Sequence, residues 1–233
     1  MNDATILLIH GLGGNSHVWS GVREHLAGRD VLALDLAGHG EGRRLGRYDV
    51  GGMTADLASR LDPTRRYAVL GHSLGGVIGL ALGSGWFGVH VDRVVGVGIK
   101  VAWTDAEREY VAALAAKPVA WFETREAAIE RYLKVAGLMG LVSADSPAAL
   151  SGAIEVDGRW RTTVDPATPG VGAPDMAGLR AACRAEVVLA RGELDPMVSE
   201  ADLDALVPGH VTLEGLGHNP HVESPHSVAQ LMR

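Results

Sequence analysis

The chain has 233 residues, 47% of them apolar and 21% charged. It is long enough to bury roughly 70–75% of its unfolded surface without a metal or disulfide to hold it together. A net charge of −7 with no basic stripe argues against nucleic-acid binding, and the single cysteine, Cys183, excludes an internal disulfide. No apolar run approaches 18 residues, and Met1-Asn-Asp-Ala opens no signal-like segment. A cytoplasmic protein that neither spans nor binds a membrane is therefore expected. Short apolar runs at Thr5–Ile9, Val31–Leu34 and Tyr67–Leu70 are each followed by a helix-length segment. Continuous rather than alternating runs suit parallel strands covered on both faces. Val91–Ile99, Val187–Ala190 and a weaker His210–Leu213 extend the series to six, with helices expected near 17–27, 52–61, 75–83, 199–207 and 223–232. The expectation is an α/β fold built on a doubly wound, mostly parallel sheet of about six strands.

Residues 101–175 break the rhythm. Helical character at Asp105–Ala116 and Arg125–Val135 gives way to a loop-like stretch containing Pro147, Pro166, Pro169 and Pro174. Six of the eleven aromatics fall in this interval. The expected organisation is a core formed by residues 1–100 and 176–233, interrupted by a helical cap at 101–175.

The most informative stretch is Gly71-His72-Ser73-Leu74-Gly75, which a strand enters and a helix leaves. Serine at the apex of G-x-S-x-G needs a sharp turn, and glycine on either side removes the Cβ atoms that would collide there. The turn lifts the hydroxyl above the sheet edge at the N-terminus of a helix, where developing negative charge is favoured.

With this elbow the chain resembles the α/β-hydrolase superfamily, and the resemblance covers nearly its whole length. Ile9-His10-Gly11-Leu12-Gly13-Gly14 is similar to the family's oxyanion loop, and Asp35-Leu-Ala-Gly38-His39-Gly40 to its Asp-x-x-Gly-x-Gly segment. Residues 188–197 and 215–222 look like the strand ends that carry the acid and the histidine. The family's N-terminal strand pair is missing, so six strands are expected rather than eight.

The resemblance implies a cofactor-free serine hydrolase acting on a small molecule. Serine needs a base that titrates near neutrality, and the family order of Ser, acid, His leaves His210, His218, His221 and His226 late enough. His218 alone sits in a loop after the last strand. Asp195, in Gly192-Glu-Leu-Asp-Pro, is the expected acid, with Asp105 after the fourth strand as the substitute. The backbone N–H groups of Leu12 and Leu74 are implied as oxyanion donors. Trp103, Trp121, Trp160 and Lys100 are candidate substrate-binding residues. Serine in place of aspartate at the elbow argues against dehalogenation or epoxide opening. Gly11-Leu-Gly13-Gly-Asn-Ser16 imitates a dinucleotide fingerprint but lacks its third glycine. His218-x-x-His221 has no acidic partner or third ligand for zinc, so no metal is expected. The substrate class reads as a small carboxylic ester, thioester or lactone. The loop from Gly217 to Glu223 also resembles the menaquinone-pathway synthase group, whose chemistry would be C–C cleavage or elimination; arginines facing the pocket would favour it. A non-catalytic small-molecule receptor on the same fold is the other alternative.

Overall fold

The computed structural model describes residues 4–233. Its strands are β1 (Thr5–Ile9), β2 (Val31–Leu34), β3 (Arg66–His72), β4 (His90–Val97), β5 (Ala153–Val156), β6 (Arg159–Thr162), β7 (Glu186–Gly192) and β8 (Val211–Leu213). Its α-helices are α1 (Ser20–His25), α2 (Val50–Ala58), α3 (Leu74–Leu82), α4 (Asp105–Ala115), α5 (Arg125–Val135), α6 (Pro147–Leu150), α7 (Met176–Ala182), α8 (Glu200–Leu206), α9 (Pro220–Glu223) and α10 (Pro225–Gln230). Six strands form one sheet in the order β2-β1-β3-β4-β7-β8, every pairing parallel.

Strand β1 shows why its sequence forms a central strand. All five residues are buried, and alternate side chains enter opposite cores. Ile6 and Leu8 pack with Trp19, Val22 and Val228, while Leu7 and Ile9 pack with Leu57, Val77 and Leu80. Burying four such side chains is worth about 6–12 kcal/mol as an upper bound, comparable to the net stability of a whole domain. Helices α1 and α10 thus cover one face of the sheet, and α2 and α3 the other.

The strand order also places the site. The chain runs from β1 outward to β2, then returns to β3 on the other side of β1 and continues to β4. Loops leaving the carboxyl ends of β1 and β3 therefore diverge, and the crevice between them is the position at which open parallel sheets bind ligands.

Three details depart from the sequence-based expectation. The segment expected as helix 223–232 divides into α9 and α10 at Ser224 (φ −143°, ψ 75°), because Pro225 excludes its predecessor from helical angles. The segment near 17–27 begins as a 3-10 turn, Ser16–Trp19, before α1. Within 101–175, part of the stretch expected as loop is the antiparallel hairpin β5–β6. Its turn is Asp157-Gly158, with φ of 51° and 77°. Two successive positive φ angles are what a two-residue type I′ turn requires, and Asp-Gly is a preferred pair for it.

Candidate active site

Ser73 stands between β3 and α3 at φ 49°, ψ −118°, one of two non-glycine residues with positive φ among those described. The strain is held by packing on all sides. A Cβ at Gly71 would overlap the backbone of Gly75 and Gly76, and one at Gly75 would overlap the carbonyls of Ile9 and His10. Ser73 N–H donates to the Val97 carbonyl at 2.8 Å, which ties the elbow to the end of β4. The Ser73 side chain makes no capping bond to α3 and is half-buried. Gly75→Ala should accordingly push β1 from the elbow. The expected result is loss of at least about 3 kcal/mol in urea unfolding or no folded protein; a wild-type midpoint would contradict this packing.

The structure brings His218 and Asp195 together. His218 Nδ1 lies 2.8 Å from Asp195 Oδ2, and the Asp195 side chain is wholly buried. Its other oxygen, Oδ1, accepts from Met197 N–H at 2.8 Å, so the carboxylate cannot swing away from the ring. Carboxylate acceptance fixes the proton on Nδ1 and leaves Nε2 as the free base. The ring packs over Gly98, just beyond the β4 residue that anchors Ser73, so both elements converge on one strand end. Asp105, the substitute acid, is instead the exposed first residue of α4. Glu193 accepts from Gly215 N–H and does not reach the histidine.

Two residues that brace this pair were not singled out by the sequence. Glu223 accepts from Gly217 N–H at 2.7 Å and from Asn219 N–H at 2.9 Å, gripping the chain on both sides of His218. Buried Arg191 donates to the carbonyls of Val198 and Glu193 and pairs with Glu200, closing the loop that carries Asp195. The Gly217–Glu223 spacing was visible, but a carboxylate folding back on its own loop has no compositional signature.

Four further histidines line the underside of the site and are all buried: His10, His39, His72 and His221. His72 Nε2–H donates to the His218 carbonyl at 2.8 Å. His221 stacks between His72 and Trp19, with centroids 4.2 and 4.7 Å away. Burial is the main cause that pushes His39 and His221 down to about 3, His72 well below its ordinary value, and His10 down as well. All four are neutral at pH 7. Asp35 anchors two turns, accepting from Ser16 N–H at 2.6 Å and Glu41 N–H at 2.8 Å.

Leu12 and Leu74 lie on the two diverging loops, Leu74 directly after Ser73 and Leu12 directly after Gly11. Leu74 is the first residue of α3, whose initial N–H groups have no helical acceptor. Gly11 lies so close that a Cβ there would sit 3.2 Å from Ser73 Cβ and 2.7 Å from His72 Nδ1. The candidate binding residues scatter. Lys100 Nζ is held by Glu107 of α4 at 2.8 Å, which makes it a tether for that helix rather than a free cation at the pocket. Trp160 pairs with Phe122 inside the hairpin layer. Trp121 is exposed, with Arg159 stacked 4.7 Å from its ring centre. Trp103 lines a groove of about 200 Å³ between α4 and the Thr168–Val171 turn. That groove does not include Ser73 or His218. Arg43, Arg44 and Arg47 are paired with Asp56, Asp165 and Asp49. Among the described residues no cluster of three metal-ligating side chains occurs, and no helix is long and apolar enough to cross a membrane.

Comparison with known proteins agrees with this architecture. The thioesterase domain from the curacin biosynthetic pathway superposes with a TM-score of 0.78 at 20% identity, covering 99% of this chain and 90% of that one. A pimeloyl-[acyl-carrier protein] methyl ester esterase of Nitrosomonas europaea is 39% identical over 82 residues, 35% of this chain and 32% of the relative. A 2-succinyl-6-hydroxy-2,4-cyclohexadiene-1-carboxylate synthase of Enterobacter sp. is 25% identical over 96% of this chain and 88% of its own length. Other curated relatives match over only 23% of their length. The model of the alpha/beta hydrolase family matches residues 6–231. The chain belongs to the alpha/beta hydrolase family.

Proposed function

We propose that this protein is a serine hydrolase that cleaves a small carboxylic ester, thioester or lactone through an acyl-enzyme. The observation that carries this reading is the convergence, at the end of β4, of a strained serine at a helix N-terminus and a histidine bonded at 2.8 Å to a buried aspartate. Ser73 Oγ attacks the carbonyl carbon while its proton passes to His218 Nε2. The oxyanion forms opposite the N–H groups of Leu12 and Leu74, each worth roughly 3–4 kcal/mol at the transition state. Collapse expels the alkoxide or thiolate, which takes the proton from His218. Water, deprotonated by the same nitrogen, then attacks the acyl carbon and releases the acid and Ser73. Asp195 holds the ring and offsets the charge of the imidazolium. Each step uses the protein's own side chains and backbone N–H groups together with water, so the proposal requires no cofactor.

The test is turnover of a panel of short-chain p-nitrophenyl esters, thioesters and lactones by the wild type and by Ser73→Ala. The acid is assigned by a second pair: Asp195→Asn is expected to lower kcat by about 10⁴, as loss of the orienting carboxylate does in other triads, while Asp105→Asn stays within about twofold. The reverse result would move the acid to the fourth strand. Lyase or C–C cleaving chemistry, with His218 as base, is the second reading; the synthase relative that matches along nearly the whole chain favours it. It lacks the arginine cluster that an anionic keto-acid would need, since Arg43, Arg44 and Arg47 are each engaged by aspartate. A burst of p-nitrophenol stoichiometric with enzyme supports acylation and separates an enzyme from a receptor.

A further inference from the structure

Leu12 occupies the second position of a four-residue turn closed by a 3.1 Å bond from Gly14 N–H to the Gly11 carbonyl. Gly13, at φ +83°, takes the third position, as a type II turn requires. Types I and II differ by a flip of the central peptide, so something must hold that peptide if the loop is to keep one form. Its N–H, that of Gly13, donates to His39 Nε2 at 3.0 Å across 26 residues. His39 Nδ1 lies 3.0 Å from the Ala37 carbonyl, which can only accept. One ring nitrogen therefore accepts and the other donates, a pattern met only by neutral imidazole protonated on Nδ1. His10 repeats the arrangement on the preceding peptide. Leu36 N–H donates to its Nε2 at 3.0 Å, and its Nδ1 faces the Gly11 carbonyl at 2.8 Å. The two rings pack edge to face, 5.1 Å apart. In a trans peptide the C=O and N–H point to opposite sides. By gripping the Gly11 carbonyl, His10 thus aims the N–H of the same plane, that of Leu12, away from its own ring, while His39 holds the next peptide of the turn against flipping.

We propose that His39 is a positioning residue of the oxyanion loop: with His10, and only as the neutral Nδ1–H tautomer, it locks the Gly11–Gly14 turn in the form that presents Leu12 N–H to the substrate oxygen. The catalytic half of this inference rests on the serine-hydrolase reading; the lock itself does not. Neither imidazole is placed to exchange protons with substrate, since both nitrogens of each ring are already engaged by the backbone. The charged and titratable groups around them are Asp35, Asp165, Arg60, His72 and His221. The two aspartates draw the His39 ring toward protonation, but burial and the neighbouring His10 outweigh them and hold it at about 3. On His10, burial, with Arg60 adding to it, outweighs the opposite pull of Asp35 and of the Gly11 carbonyl. The lock therefore persists across the working range of an esterase. A hydrophobic residue at position 39 could fill the space but would leave Gly13 N–H free to turn.

The experiment compares wild type, His39→Leu and His39→Gln, because a glutamine Oε1 can replace the Nε2 acceptor and leucine cannot. On the ester turned over fastest, His39→Leu is expected to lose roughly 10- to 100-fold in kcat with KM within about twofold. His39→Gln is expected to recover most of that loss, and fluorophosphonate labelling of Ser73 should follow kcat. Wild-type kcat in His39→Leu, or equal losses in both variants, would overturn the proposal. A purely structural role would lower the unfolding midpoint and leave kcat per folded molecule unchanged. The lock is read independently of activity by long-range ¹H–¹⁵N correlation of the histidine rings. His10 and His39 should both show the Nδ1–H tautomer, in contrast to Nε2–H for His72. Faster amide exchange at residues 12–14 in His39→Leu should accompany its loss. An Nε2–H tautomer at His39 would refute the lock. Failure of the whole ester panel and of Ser73 labelling would instead refute the hydrolase reading, with the tautomer and exchange results still deciding the lock.

Discussion

Replacing Ser73 with alanine should remove roughly 10³- to 10⁶-fold of kcat on any ester the protein turns over and abolish fluorophosphonate labelling, while the protein stays folded. The size follows from the proposed role: without Oγ there is no acyl-enzyme, and only substrate binding and the oxyanion donors remain. The retention of fold follows from the local structure. The elbow's bonds to its surroundings are made by backbone, with Ser73 N–H on the Val97 carbonyl and the Ser73 carbonyl accepting from Gly76 and Val77. Alanine keeps the same Cβ and bears the same strain at φ 49°, and the side chain supplies no cap to α3 that would be lost. Mass spectrometry of the labelled protein checks the assignment directly. A label on a different serine, or wild-type turnover by the Ser73→Ala variant, would refute it.

The parts of this molecule legible in its sequence are those that local stereochemistry dictates. A strand-to-helix turn with serine at its apex demands glycines at fixed spacing, so Gly71, Ser73 and Gly75 announce themselves. A strand buried on both faces must be continuously apolar, which is why β1 and most of β3 lie where the apolar runs are, and the half-buried edge strand β2 follows the same pattern. The Asp157-Gly158 hairpin was legible on the same grounds, but the prolines around it drew the segment toward a loop reading. What the sequence hid is the bracing made by contacts between distant segments. Glu223 clamps the loop of His218, Arg191 closes the loop of Asp195, and His39 reaches back 26 residues to Gly13. None of these has a period or a flanking signature; each depends on which loops the sheet order brings together. The same holds for Lys100, whose place at the end of a buried strand suggests a pocket cation, whereas the course of α4 brings Glu107 onto it.

Acid should destabilise this protein well above the range in which its carboxylates titrate. A buried histidine whose folded pKa is depressed favours the native state fully above its unfolded value of about 6.5. That preference is lost as pH falls toward the folded value, because the unfolded chain takes up a proton that the native state refuses. For His39 and His221, held at about 3, the loss by pH 5 is roughly 2 kcal/mol each by this linkage. His10 and His72 shift in the same direction, so the total exceeds about 4 kcal/mol, a large part of the roughly 5–15 kcal/mol that a domain has. Carboxylates held below their ordinary values, among them Asp35, Asp165 and Glu107, lose their contribution only at lower pH. Between about pH 6.5 and 5 the histidines are thus the groups that set the slope. Urea unfolding at half-unit steps from pH 7.5 to 5 should show a midpoint that is flat above about 7 and falls steeply below about 6.5, with at least about two protons taken up on unfolding. His221→Phe should reduce that slope by about one proton. This ring has no hydrogen-bonding role to lose, since its buried Nδ1 has no partner. A midpoint unchanged between pH 7.5 and 5 would mean that the histidines beneath the site are hydrated and free to charge, and the neutral scaffold under Leu12 and His218 would fall with that result.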